Sequence, residues 1–381
     1  MSGGKPVKRV LITGGAGFIG SNLARRLHAD GWQVTVIDTL SPQIHTSDPS
    51  NSSLFRSIEG VARFIHGDVT DRVQIMAAMV DQDAIIHLAA ETGTGQSMYQ
   101  IEHYTRVNVG GTALMLDILA NSPTIVRRFI VASSRSIYGE GKYIGSDGPV
   151  YPESRSVADM EAGIFEPRSS RGEPLRLTAT DEASKISPSS VYGITKQVQE
   201  QLVLTVCRAI GIAGVALRYQ NVYGPGQSLT NPYTGILSIF SNLIMNDKPI
   251  NIFEDGKESR DFVFIDDVVE ATVLALTAPD AAHQVINVGS GVPIDVLTVA
   301  AALQRLLGTY VDVTISGNFR LGDIRHNYAC LAHARRILGF EPKFDFEAGL
   351  TRFCEWAMAQ GPQASDYDGS LTILRAKGLL K

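Results

Sequence analysis

Val10-Leu-Ile-Thr13 runs directly into Gly14-Gly-Ala-Gly17-Phe18-Ile19-Gly20, fixing a strand, a tight turn and a helix start within one short segment. Three spaced glycines there let the backbone reverse, approach a pyrophosphate and pack helix closely on strand, while the helix N-terminus points N–H groups at the anion. A second strand over 33–38 ends in Asp38, a carboxylate able to accept hydrogen bonds from a ribose diol. A 2′-phosphate would be repelled there. The pattern therefore predicts NAD rather than NADP.

The rest of the first half repeats the same alternation. Short apolar runs at 9–13, 33–38, 62–66, 84–89, 128–133 and 212–218 read as strands, and the segments 18–29, 71–80, 104–120 and 190–210 read as helices. This predicts a Rossmann-type α/β fold, a doubly wound parallel sheet. At 381 residues the chain exceeds one minimal core, so a smaller C-terminal α/β lobe is expected. The expected division is residues 1–221 with a returning segment near 262–292 as the nucleotide domain, and 222–261 with 293–381 as the second lobe. Runs at 261–265 and 284–289 read as buried strands that rejoin the first sheet. Residues 140–188 show no sustained period and read as an inserted flap or interface element without structure of its own.

Composition excludes several classes. With 34 Lys+Arg against 39 Asp+Glu the net charge is −5, which offers no field for nucleic acid. No apolar run approaches the ~18 residues that cross a bilayer, and Met1 to Lys8 has no signal core, so a cytoplasmic protein without membrane anchor is expected. Cys207, Cys330 and Cys354 are odd in number and lack CxxC spacing; buried apolar roles are expected, with no disulfide framework and no metal.

Tyr192 and Lys196 in Val191-Tyr-Gly-Ile-Thr-Lys196 are four residues apart, so on a helix both face one ligand. A free tyrosine titrates near ~10, and use as a base near neutrality requires stabilising phenolate by ~3 units, about 4 kcal/mol. A neighbouring ammonium and a cationic nicotinamide are suited to that. Asp68, after the third strand, either reaches the adenine amine or serves an ordinary turn or N-cap.

Seven segments together resemble the extended short-chain dehydrogenase/reductase superfamily, the nucleotide-sugar epimerases and dehydratases typified by UDP-galactose 4-epimerase. They are the glycine segment, His87-Leu-Ala-Ala90, Asn108-Val-Gly-Gly-Thr112, Ser133-Ser-Arg-Ser-Ile-Tyr-Gly139, Tyr192-Gly-Ile-Thr-Lys196, Leu217-Arg-Tyr-Gln-Asn-Val-Tyr-Gly224 and Arg260-Asp-Phe-Val-Phe-Ile-Asp-Asp267. The resemblance implies Tyr192 as base, Lys196 on the nicotinamide ribose, and Ser134 on the reacting hydroxyl. It extends the cofactor set to Gly14, Gly17, Phe18, Ile19, Gly20, Asp38, Asp68, Val69, Leu88, Ala89, Ala90 and Asn108. It implies substrate contacts from Ser134, Arg135, Ser136, Tyr192 and Asn221, with Arg260 and Arg325 on a diphosphate; surface ion pairing is the alternative for both arginines. Family dehydratases carry Asp-Glu where this chain has Arg135-Ser136, and the reductase-epimerases carry cysteine at the Ser136 position. Hydride removal and return at C4 is what remains.

A finer resemblance, through Leu217–Gln227, Asn231–Phe240 and the long insertion, is to bacterial dTDP-L-rhamnose 4-epimerases. It implies a nucleotide-diphosphate sugar as substrate, best matched by conversion of dTDP-L-rhamnose to dTDP-6-deoxy-L-talose. Alternatives are a UDP-hexose 4-epimerase (galactose or uronate) and an NAD(P)-dependent 4-keto-sugar reductase. A homodimer through apolar faces of 104–119 and 197–209 is also implied.

Overall fold

The computed structural model describes residues 8–45 and 48–381, so the reading of the extreme N-terminus lies outside the described residues. Seven parallel strands form the main sheet, in the order Val285–Val288, Ala213–Tyr219, Arg128–Ser134, Ala84–His87, Arg9–Thr13, Gln33–Asp38, Ala62–His66. The two-residue period of a strand explains why this sheet is covered on both sides. Val10 and Ile12 enter one apolar cluster, while Leu11, between them, enters the other with Ile37, Ile85 and Phe129. Strand order reverses between Arg9–Thr13 and Ala84–His87, which opens a crevice beyond their carboxyl ends. Thr13, Asp38, His87 and Ser134 are each the last residue of their strand and meet at that edge.

Three expectations about architecture need correction. Ser259–Phe264 does not rejoin the main sheet; it pairs with Asn221–Tyr223, Pro293–Asp295 and His326–Asn327 in a separate four-stranded sheet. Only Val285–Val288 returns, beside Ala213–Tyr219. A buried apolar run looks the same whichever sheet buries it. The insertion is also structured: Tyr143–Gly145, Gly148–Val150 and Arg176–Leu177 make an antiparallel sheet, and the helix Val157–Glu161 is capped by Ser156. Strands of two or three residues are too short to leave a period in the sequence. Finally, the expected helix 104–120 is Ile101–Tyr104, a π-helical turn Thr105–Gly110, and Gly111–Asn121. Tyr104, expected at a subunit contact, is fully buried and donates to Thr92 O.

Cys207 and Cys354 are buried, and burial pushes both thiols up to about 12, whereas Cys330 is only half-buried. No helix of the described residues is long and apolar enough to cross a membrane.

Candidate active site

The glycine turn is built for close approach. Gly14 adopts φ +67°, and a Cβ there would lie 2.7 Å from the backbone nitrogen of Ala89 on the adjoining strand loop. A Cβ at Gly20 would lie 2.3 Å from Gly14 O, so helix and turn could not close. Gly17 caps the helix Phe18–Ala29 without any side-chain hydrogen bond, leaving the N-terminal N–H groups open to an anion. Asp38 accepts from Ala16 N (3.0 Å) and Leu40 N (2.9 Å), which holds its carboxylate against the same turn. This uncapped helix start, glycine cradle and carboxylate fit the adenosine diphosphate half of NAD. Phe18, Ile19, Leu88, Ala89 and Ala90 line the crevice edge half-buried, and Val69 is buried behind it.

Two expected cofactor residues are engaged by the protein's own groups. Asp68 accepts from both N and Oγ1 of Thr70, an aspartate turn, while the cap of the next helix is Asp71. Asn108 is fully buried; it accepts from Glu91 N and donates to Glu91 O and Thr195 Oγ1, consuming both amide hydrogens. Its position in the π-helical turn brackets the loop after the Ala84–His87 strand to the helix Val191–Ala209. Asn108 therefore positions the helix that carries Tyr192 and Lys196 rather than presenting its amide to a cofactor. His87 reinforces the bracket through Thr13 Oγ1 (2.7 Å) and Thr112 Oγ1 (2.9 Å), and burial holds its imidazole down at about 3, so it stays neutral.

Tyr192 and Lys196 share one face of the helix Val191–Ala209, with Lys196 Nζ 5.9 Å from the Tyr192 ring centroid. Ser97 accepts from Tyr192 N (3.0 Å) and fixes the helix start. Burial raises the Tyr192 phenol above its ordinary value; the Ser134 hydroxyl and the Arg135 charge pull it back in part. The protein alone thus holds the phenol protonated. Lys196 Nζ donates to Ala132 O (2.9 Å), and burial lowers it to about 7. Ser134, beside it, exchanges a 2.9 Å hydrogen bond with Ser136 Oγ and accepts from Ser136 N.

The buried lysine gives a pH-dependent cost. Its folded value, about 7, lies below the ordinary 10.5, so the unfolded chain binds more protons between those values and stability rises with pH across that window. Below pH 7 the cost is fully present. Lys196→Met in cofactor-free protein is expected to flatten this rise in urea unfolding at pH 6, 8 and 9.5; equal slopes in both proteins would count against it.

Arg135, Asn221 and Arg260 are brought together. Arg135 Nε donates to Asn221 Oδ1 (2.7 Å), and its guanidinium is pushed down to about 9 by burial and by the charge of Arg260. Arg260 is oriented by the carbonyls of Ser259, Ile324 and Arg325. Two guanidinium groups repelling across a desolvated space would be relieved by an anion.

Arg325 does not join them. It is fully buried, and its guanidinium binds Glu166, Glu254 and Asp255 at 2.6 to 3.0 Å. The carboxylates that satisfy every face of this fork leave no edge for a phosphate, which corrects the expected role. Arg155 extends the cluster to Glu140 and Glu254, tying the insertion to the second lobe. The arginine that sequence reasoning passed over is Arg320. It pairs with Asp323 (2.9 Å), lies 5.4 Å from the Phe253 centroid, and lines a pocket with Thr94, Met98 and Ser190. The sequence signal for it is the spacing Arg320-Leu-Gly-Asp323, and Gly322 turns there at φ +86°. Among the described residues no group of three or more His, Cys, Asp or Glu could hold a metal.

Comparison with known proteins agrees with this architecture. Residues 10–157 and 167–289 match the model of the NAD dependent epimerase/dehydratase family. The chain is 39% identical over 352 residues to a dTDP-L-rhamnose 4-epimerase of Burkholderia thailandensis, covering 92% of this chain and 94% of that one. It is 28% identical to a putative UDP-glucose 4-epimerase of Methanocaldococcus jannaschii, covering 91% and 97%. A solved UDP-glucuronic acid 4-epimerase of Bacillus cereus, in complex with UDP-glucuronic acid and NAD, superposes with TM-score 0.74 at 25% identity, covering 92% and 99%.

Proposed function

The chain belongs to the NAD dependent epimerase/dehydratase family, and from that premise we propose that it is an isomerase, an NAD-dependent 4-epimerase of nucleotide-diphosphate hexoses. The observation that carries the reading is the union, at one crevice, of an NAD cradle with Tyr192, Lys196 and Ser134, without a carboxylate pair or cysteine at Arg135-Ser136. Bound NAD supplies a hydride acceptor that returns what it takes, so no net oxidation results.

Tyr192 receives the proton of the C4 hydroxyl as the C4–H bond breaks, and gives it back when the 4-keto sugar is reduced on its other face. Ser134 holds the reacting oxygen by a hydrogen bond. Lys196, as ammonium, faces the phenol and favours its ionised form. Because burial of Tyr192 raises the phenol, the base becomes competent only when cationic charge is added beside it. Arg135, held by Asn221, and Arg260 neutralise the diphosphate; Arg320, paired with Asp323 at the neighbouring pocket, adds a third cation. Asp38 selects NAD by repelling a 2′-phosphate.

The best-supported substrate is dTDP-L-rhamnose, yielding dTDP-6-deoxy-L-talose; 39% identity to a dTDP-L-rhamnose 4-epimerase, against 28% for the UDP-glucose relative, supports it. Incubation with dTDP-, UDP-, GDP- and CDP-hexoses without added reductant, followed by proton NMR, is expected to give C4 inversion of dTDP-L-rhamnose. Inversion of UDP-hexoses alone would overturn the substrate assignment. Conversion that requires added NADH or NADPH would overturn the epimerase for a reductase.

A further inference from the structure

The two segments that flank the glycine turn are joined across it. In the main sheet Arg9–Thr13 lies between Gln33–Asp38 and Ala84–His87, so the turn that follows it stands between the segments leaving the other two strands. Gln43, in the short helix Pro42–His45 after Asp38, meets Gln96, in the short helix Thr94–Ser97 after His87. Their amides pair reciprocally: Gln43 Nε2 donates to Gln96 Oε1 (3.2 Å), and Gln96 Nε2 donates to Gln43 Oε1 (3.2 Å). A bond between these segments has to pass beyond the carboxyl end of Arg9–Thr13, where the glycine turn and the open helix N-terminus receive a pyrophosphate. The pair is fastened on both sides. Gln96 is buried and accepts from Tyr104 Oη (3.1 Å), while Gln43 Nε2 also donates to Asn231 Oδ1 (3.4 Å) of the second lobe. On the same two loops, Tyr99 Oη and Tyr233 Oη share a 2.5 Å hydrogen bond. The second lobe also reaches the glycine helix itself: a Cβ at Gly226 would lie 2.9 Å from Leu54 Cδ2 and 3.6 Å from Phe18 Cδ2.

We propose that Gln43, Gln96 and Asn231 form a latch across the bound dinucleotide, positioning it and holding it in the crevice between one hydride transfer and the next. An enzyme that returns a hydride to the sugar it came from needs its reduced cofactor to outlast the ketone. A dinucleotide whose pyrophosphate lies beneath the amide pair leaves only when that pair opens. The chemistry of the pair suits a latch. Both groups are neutral, so closure adds no charge beside the phosphates, and each amide satisfies the other, so closure strands no buried polar atom. On opening, water takes over the same bonds at a small net cost. The latch joins loop to loop and leaves the anion to the helix N-terminus, so it governs how fast the cofactor enters and leaves more than how tightly it is held.

The test uses the full chain loaded with NAD and no sugar, so its outcome is separate from whether the protein epimerises anything. Exchange of bound NAD against isotope-labelled NAD gives the exit rate, and equilibrium dialysis gives Kd. Gln43→Met keeps the length of the side chain and removes its amide bonds. It is expected to speed exit about tenfold, the scale of the hydrogen bonds removed, with Kd changed by less than about threefold, so that entry quickens to a similar degree. Tyr233→Phe, which takes one hydroxyl from the neighbouring tie, is expected to move exit in the same direction with Kd again little changed. An exit rate in Gln43→Met equal to the parent's would overturn the latch. Faster exit matched by an equal rise in Kd would overturn it as well, because Gln43 would then be a plain cofactor contact. Should Gln43→Met fail to fold, Tyr233→Phe decides by the same two measurements.

Discussion

Tyr192→Phe is expected to lower turnover by about 10³-fold while NAD stays bound, because the change removes one oxygen from an otherwise intact site. General bases contribute about 10² to 10⁴ in rate, and a factor of 10³ corresponds to about 4 kcal/mol in the barrier. The upper part of that range applies because burial raises this phenol, so the site spends cationic charge to ionise it and holds no second base at the same position. His87 is neutral and enclosed by Thr13 and Thr112, and Arg135 and Ser136 cannot accept a proton near neutrality. Steady-state rates on the substrate found by NMR, with NAD content measured after denaturation, make the test. A rate within tenfold of the parent, with full NAD occupancy, would remove Tyr192 from the role of base.

Arg325→Met should act on a different quantity. Removing one partner of a buried ion cluster leaves charges without compensation and typically costs about 3–5 kcal/mol. Here the stranded groups are Glu254, enclosed beside Arg155, with Asp255 and Glu166 at the edge. Burial works against the Arg325 charge, but the bonds to Asp255 and Glu166 hold its guanidinium above the ordinary arginine value, so the cation persists at any working pH. Urea unfolding should show the loss, and KM for the nucleotide sugar should change little in protein that remains folded. The opposite result, unaltered stability with a KM raised tenfold or more, would restore the phosphate role expected from sequence.

Arg325 marks the limit of what a linear pattern carries. Arg320 and Arg325 both sit near Asp323, and nothing local separates them; four carboxylates distant in sequence, at 166, 254, 255 and 258, decide that Arg325 is structural. The same holds for Asn108, whose motif was legible but whose amide is consumed by Glu91 and Thr195. Strand and helix ends in the nucleotide half were readable almost to the residue, as at Arg9–Thr13, Phe18–Ala29 and Gln33–Asp38. There, glycine sterics, helix amphipathicity and strand alternation all act over short distances and agree. The insertion was not readable, because its strands are shorter than a period and its tie to the second lobe runs through Arg155, which pairs with Glu140 and with Glu254.

By itself, then, the sequence determined the parallel sheet, the cradle for NAD, and a phenol and ammonium on one helical face, since each depends on spacing along a single element or across one turn. Tertiary structure alone decided which arginines are free to meet an anion, which sheet Ser259–Phe264 joins, and that the chain's last residues clasp the loop of Arg320. Those outcomes depend on burial and on charges brought together from segments up to 159 residues apart, and neither has a signature in local order.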